Sequence, residues 1–239
     1  MESITALKQE LFKKYPYRVE LHAHTSPVSG CSQIPPEELI ERYHAIGADG
    51  VVITNHMLPW SLDDRTPEEW QEFYLKDYRT AVACAEKYGM VVLMGIELRV
   101  AGQDDDYLIY GADDDLVLKA CDYLSGKTIE DFYRDYHSPD LLIVQAHPFR
   151  DRLHPVAPGT LDGFEVFNCH PHHNSRIGLA ARHAGEDGIR VGGTDFHHPD
   201  HEGMILARFP VLPKTSKQLV SLLRSRDYLL DVSGSLILP

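Results

Sequence analysis

The chain has 239 residues, 43% of them hydrophobic and 25% charged, which is enough for one large core and short for two ordinary domains. A formal net charge of −13, with no Lys/Arg-rich stretch, argues against a nucleic acid as the main partner, because that affinity comes from neutralising phosphates. Apolar runs such as 90–96 end at charged residues well short of bilayer length, and residues 1–15 mix Glu, Lys and Gln with apolar positions, so neither a membrane span nor a signal peptide is expected.

In chain order, residues 3–15 read as a short amphipathic helix, 18–21 as a strand, and 35–46 as a helix opened by proline with Glu37 and Glu38 in its first turn and closed by Gly47. GVVIT at 50–54 is a continuous apolar run, the pattern of a strand buried on both faces, and 67–88 reads as a long helix ending at Gly89. Further strands are predicted over 90–98, 107–111, 141–146, 163–167 and 189–192, with helices over 113–125, 129–136, 175–184 and 216–226. Seven strands alternating with helices imply an α/β fold with a parallel sheet, and the pattern suits a barrel or an open doubly wound sheet equally. No repeat or linker interrupts it, so one domain over 1–239 is expected. Cys31, Cys84, Cys121 and Cys169 are dispersed and form no C-x-x-C pair, which points to a reducing cytoplasm rather than a disulfide framework.

The chemistry-bearing residues recur where these strands end. His22 and His24 follow the first, His56 the second, Glu97 ends the third, and His147, Asp195 and His197 follow later ones. In parallel α/β folds the C-terminal strand edge carries the site, so residues dispersed in sequence can converge there. His22-Ala23-His24 on an extended chain points both imidazoles to one side, and Asp195-Phe196-His197 repeats that spacing; each pair suits the gripping of one cation. Glu97 closes the apolar run MVVLMGIE, where an ionised carboxylate is costly unless it binds a cation or pairs with a base such as Arg99.

These residues carry a resemblance. ELHAHTSPVSG, VVITNH, VLMGIE, VQAHPFR and GGTDFHH, in this order and spacing, resemble the PHP family, named for polymerase and histidinol phosphatase, over nearly the whole chain. The resemblance implies a distorted seven-stranded (β/α) TIM-like barrel, two or three divalent metal ions (zinc, manganese or iron), and hydrolysis of phosphate esters. It implies His22, His24 and Asp195 as ligands of a first metal, Glu97 as the bridge to a second, His147 on that second metal, and His56 and His197 on a third. The loop after His24 departs from the family, which places Asp or His where this chain has Ser29-Gly30-Cys31-Ser32, leaving Cys31 as a candidate thiolate ligand or a packing residue. Near the fourth strand Asp106 stands where similar sequences have histidine, as a ligand or a solvated loop acid.

Two cations sharing Glu97 would lower the pKa of a bridging water, giving hydroxide for in-line attack on phosphorus, with His197 or His56 protonating the leaving alkoxide. Arg150 and Arg176 are the candidate guanidiniums for substrate phosphate, and Glu165 and Asn168 are expected to orient the histidines. The expected partner is a small phosphorylated metabolite, with histidinol phosphate or a nucleotide-type ester both open. A hydrolase of C–N or lactone bonds and a non-enzymatic metal-binding module are the alternatives. His170 to His173 carries no assignment, and oligomeric state is left open.

Overall fold

The computed structural model describes residues 3–239. Helix α1 (Ile4–Lys14) is capped by the Ser3 hydroxyl, which accepts the Ala6 N–H. Strand β1 (Tyr17–Ala23), helix α2 (Pro36–Ala45), and strands β2 (Gly50–Ile53) and β3 (His56–Met57) follow. Helix α3 (Pro67–Ala85) starts at a reciprocal capping box between Thr66 and Glu69 and leads into β4 (Val91–Arg99). Then come β5 (Asp106–Tyr110), α4 (Asp114–Ala120) with a 3₁₀ turn over Cys121–Tyr123, α5 (Ile129–Tyr136), β6 (Leu142–Gln145), β7 (Gly163–Asn168), α6 (Ile177–Ala184), β8 (Ile189–Gly193), β9 (Ile205–Phe209), α7 (Ser216–Ser225), β10 (Leu229–Val232) and β11 (Ser235–Ile237). Among the described residues no helix is long and apolar enough to cross a membrane.

All seven expected strands form, and they are neighbours in one curled sheet in the order β1-β2-β4-β5-β6-β7-β8. Two expectations about that sheet are corrected. It is not all parallel: β5 runs antiparallel to both β4 and β6. The loop between β4 and β5 is too short for a crossover helix, so the chain can only fold straight back. The strand that returns therefore brings its first residue, Asp106, opposite Arg99 at the end of β4.

The ladder also does not close into a seven-stranded ring. The first half of β1 pairs antiparallel with β9, which continues through β10 to β11, three strands absent from the sequence reading. Beyond that half, β1 meets the segment leaving β8 through a single parallel bridge, Ala23 to Phe196, with the His24 N–H donating to the Phe196 carbonyl and the Phe196 N–H to that of His22. The sheet curls far enough to join its two sides only at the edge that carries the histidines. Gly193 makes the approach feasible, since a Cβ there would lie 2.3 Å from the His22 Cβ.

Strands β2, β5 and β6 are buried on both faces, as the apolar runs GVVI, YLIY and LIV within them require. One large core packs β4 and β5 against α3, α4 and α5 around Trp70, Tyr74, Ile96, Ile109 and Phe132. A second fills the concave interior with Val19, Leu21, Val52, Leu108, Val144 and Val191. The polar cluster sits at the edge where β1, β4, β6 and β8 end.

Candidate metal centre

His22 lies in β1 and His24 just beyond it; His56 opens β3 and Glu97 lies two residues before the end of β4. His147 follows β6, and Asp195 and His197 follow β8. The i, i+2 spacing does what an extended backbone dictates, turning His22 and His24 to one side with ring centroids 5.0 Å apart. Glu97 stands at the middle. Its Oε1 lies 3.3 Å from His22 Nε2 and 3.0 Å from His147 Nε2, while Oε2 lies 3.2 Å from His24 Nε2 and 2.9 Å from His56 Nδ1. Asp195 Oδ1 is 3.5 Å from His22 Nε2 and 3.4 Å from His24 Nε2.

Three groups have donor atoms mutually within 4.8 Å and could each hold a metal ion: His22, His24, Glu97 and Asp195; Glu97, Asp106 and His147; and His24, His56 and His197. Burial works against charge on Glu97, yet His22 and His56 outweigh it and hold its carboxyl well below the usual range. The same contest drives His22 upward, with the carboxylates of Glu165, Glu97 and Asp195 overcoming burial. Burial, reinforced by neighbouring His24, pushes His197 down to about 2 and keeps it neutral.

A surrounding layer sets the tautomers. His22 Nδ1 lies 2.8 Å from Glu165 Oε1, so Nδ1 carries a proton in either charge state and Nε2 is the nitrogen left to serve a cation in the cluster. His197 Nδ1 is 2.8 Å from the Asp195 carbonyl oxygen, which only accepts, with the same result. His24 is fixed through Asn55 and Ser29. The Thr25 N–H donates to Asn55 Oδ1, fixing that amide; Oδ1 also takes the Ser29 hydroxyl proton, so Ser29 Oγ must accept from His24 Nδ1–H at 3.1 Å. Ser29 Oγ also accepts the His56 N–H, and Asp77, pushed up to about 6 by burial, accepts from Thr25 Oγ1 beneath this loop. Glu165→Gln should leave the fold intact but keep only one acceptor oxygen, uncharged, for the three donors His22 Nδ1–H, His147 N–H and Asn168 Nδ2–H, which weakens the anchor on the His22 tautomer. Metal affinity in a chelator-competition titration is expected to fall about 10- to 100-fold. Unchanged affinity would show that Glu165 does not govern His22.

Residues 20–205 match the family model for the PHP domain. The chain belongs to the PHP family. Comparison with curated proteins gives no match. Among solved structures, it is similar to a two-domain protein from Bacteroides vulgatus described as containing a predicted PHP-like metal-dependent phosphoesterase. The TM-score is 0.63 at 16% identity over 90% of this chain, which spans 64% of that protein. An amidohydrolase from Chromobacterium violaceum, solved with bound sulfate and no metal, is 17% identical over 77% of this chain and 89% of its own, with a TM-score of 0.46.

The donor set of this PHP domain fits divalent cations on a local observation. His22 Nε2, His24 Nε2, His56 Nδ1 and Glu97 Oε2 are all buried and lack a hydrogen-bond partner among the described residues, although each of the three nitrogens lies within ion-pair distance of the Glu97 carboxylate. Two of the residues also have left-handed backbones, His147 at φ 28° and Asp195 at φ 55°, a conformation costing about 1–2 kcal/mol for a non-glycine residue. The Glu165 carboxylate helps hold the first by accepting the His147 N–H.

Other expected site residues fall in different places. Asp106 is buried rather than solvated; it takes a bidentate pair from Arg99, both contacts 2.7 Å, and lies 3.9 Å from His147 Nε2. Arg99 thereby satisfies Asp106 and not Glu97. Cys31 is exposed in the cleft wall beside His56, outside the three donor groups. Arg150 also lines this cleft of about 400 Å³, hydrogen-bonded to Asp195 Oδ2 and Asn168 Oδ1. Arg176 is not among the residues lining it: its guanidinium turns onto Asp151 and the Phe149 carbonyl. His170, His172 and His173 form one rim, and burial keeps His170 neutral, with its pKa at about 4.

Glu20 was missed by sequence reasoning. This fully buried carboxylate accepts from the backbone of Leu21, His22 and Thr194 and from the hydroxyls of Thr194 and Tyr43, tying β1 to the turn that carries Asp195. An acid two residues before His22 in a strand was the available signal, but only the neighbouring turn explains it.

Proposed function

We propose that this PHP domain, acting as one unit over residues 1–239, hydrolyses phosphate esters of small metabolites in a metal-dependent reaction. The convergence of four imidazoles on the single carboxylate of Glu97, with buried lone pairs left unpartnered, carries the reading. His22, His24, Glu97 and Asp195 would hold one divalent cation and Glu97, His147 and Asp106 a second; His56 and His197, with His24 in reach, suit a third. Zinc, manganese and iron all accept such a mixed nitrogen and oxygen set. Bound there, the cations supply Lewis-acid polarisation of phosphoryl oxygens and acidification of water near neutral pH.

The protein's own groups support the rest. Arg150 places a guanidinium beside Asp195 at the cleft surface, where it can take a phosphoryl oxygen as the substrate enters. Neutral His197 offers a lone pair at Nε2, which suits a ligand better than a proton donor. Glu97 and Cys31 outweigh burial to favour the imidazolium of His56, which can hand a proton to the leaving alkoxide when it is not holding a cation. Cation charge reconciles the acidic chain with an anionic substrate. The proposal includes a small-molecule partner and, from the dispersed cysteines, a cytoplasmic setting.

The test is phosphate release from a panel of small phosphate esters by wild-type and His22→Ala protein, each reconstituted separately with zinc, manganese or iron. Metal-dependent turnover that disappears in the variant is expected. No release with any of the three metals would sink the proposal and favour hydrolysis of another bond or a binding role.

A further inference from the structure

Beside the histidine cluster the cleft opens into a second cavity of about 570 Å³. The two share Cys31, His56 and Arg99, so an ester whose phosphate lies at the metal centre would send its alcohol half into this second space. Val28, Leu58, Trp60, Trp70 and Phe73 give it an apolar and aromatic stretch of wall, with Ser61, Asp63 and Arg65 beside them. That stretch gains little from a hydroxylated sugar and much from a flat apolar surface.

Three features say what kind of surface. Trp60, in the turn between β3 and α3, is 59% exposed, an uncommon state for a side chain that normally buries most of its area. Trp70 lines the same cavity, and its buried Nε1–H has no hydrogen-bond partner among the described residues, a donor that costs free energy until something accepts from it. Arg65 holds its guanidinium 4.7 Å above the Phe73 ring, bringing a cation to this wall, whereas the charge on Arg99 is neutralised by Asp106.

We infer that this cavity receives the alcohol half of the substrate and selects phosphate esters carrying a planar ring with hydrogen-bond acceptors on its edge, stacked on Trp60. The inference rests on the phosphoesterase reading above and narrows its substrate class. Stacking makes Trp60 a specificity-determining residue and leaves the reacting atoms to the metal centre.

Adenosine 5′-monophosphate and ribose 5-phosphate test it, because they share the scissile primary ester and differ in the ring. With manganese-reconstituted protein, the ring-bearing ester should be preferred in kcat/KM by about tenfold or more, the scale of one base stacked on an aromatic side chain. Trp60→Ala, at an exposed position where truncation spares the core, should collapse that ratio toward one, and Trp60→Phe should retain most of it. A wild-type ratio near one, or a ratio unchanged by Trp60→Ala, overturns the inference. If neither ester is cleaved, calorimetric binding of the same two compounds decides separately. Trp60-dependent preference for the ring-bearing compound would keep the ring site while the proposed activity falls. Equal binding of the two would remove the ring site as well.

Discussion

Glu97→Gln is expected to lower phosphate release by about 10³-fold or more, equivalent to about 4 kcal/mol of barrier, and to lower metal content with it. The substitution keeps the side chain's shape and one acceptor oxygen. It removes the charge, and it replaces the lone pairs of one carboxylate oxygen with an NH₂ group. Each Glu97 oxygen faces two imidazole nitrogens, at 3.3 and 3.0 Å for Oε1 and 3.2 and 2.9 Å for Oε2, so no orientation of the amide avoids pointing N–H groups at a ligand pair. Elemental analysis after gel filtration, alongside phosphate release, reads both consequences. Full metal content with lost activity would make Glu97 a residue acting on substrate or water instead of a bridge. Full activity would remove it from the centre altogether.

Glu20→Leu should destabilise the protein by about 3–5 kcal/mol, the scale of breaking a buried polar network from one side. Three backbone N–H groups and two hydroxyls lose their acceptor in a site with no water-exposed surface. At this chain length that corresponds to a fall in Tm of roughly 10 °C, measured by thermal unfolding of metal-free protein. Glu20→Gln should cost much less, because its carbonyl oxygen can keep the three backbone donors while the Thr194 and Tyr43 hydroxyls turn to accept from the amide. The comparison also has a pH dependence. Burial raises the Glu20 pKa above 4.5 in the fold, against the hydrogen bonds from Thr194, so the folded state holds this proton more tightly than the unfolded chain. Stability from that proton is present below 4.5 and is lost as pH rises through the raised value. The Gln variant, which does not titrate, should therefore gain on wild type as pH increases across that range; a difference constant with pH would show that Glu20 keeps an ordinary carboxylate pKa.

Much of the candidate site was legible because it depends on local geometry. An extended chain alternates its side chains, so His22-Ala23-His24 had to present two imidazoles together wherever the strand lay, and a carboxylate closing MVVLMGIE had to find a cation or a base. The apolar runs at 50–54, 90–96 and 141–144 likewise became strands, since each is buried by any sheet that is covered on both faces. Glu165 and Asn168 were legible as supports from their place at the end of a strand, and the structure puts Glu165 on His22 and Asn168 on both Glu165 and Asp195.

What the sequence determined by itself is therefore the seven neighbouring strands from β1 to β8 that carry the cluster, the side to which paired histidines point, and the chemical kind of the cluster. Only the tertiary structure decided the rest. The short link after β4 reversed β5 and put Asp106 at the cluster from the start of a strand rather than its end. Pairing of β9 with the first half of β1 left the ring unclosed except near Ala23. Asp151 and the Phe149 carbonyl drew Arg176 aside, while the turn at Thr194 explained Glu20. Each of these outcomes is a competition among hydrogen-bond partners far apart in the chain, and a strand's own pattern states which face it buries without stating who pairs with its edges.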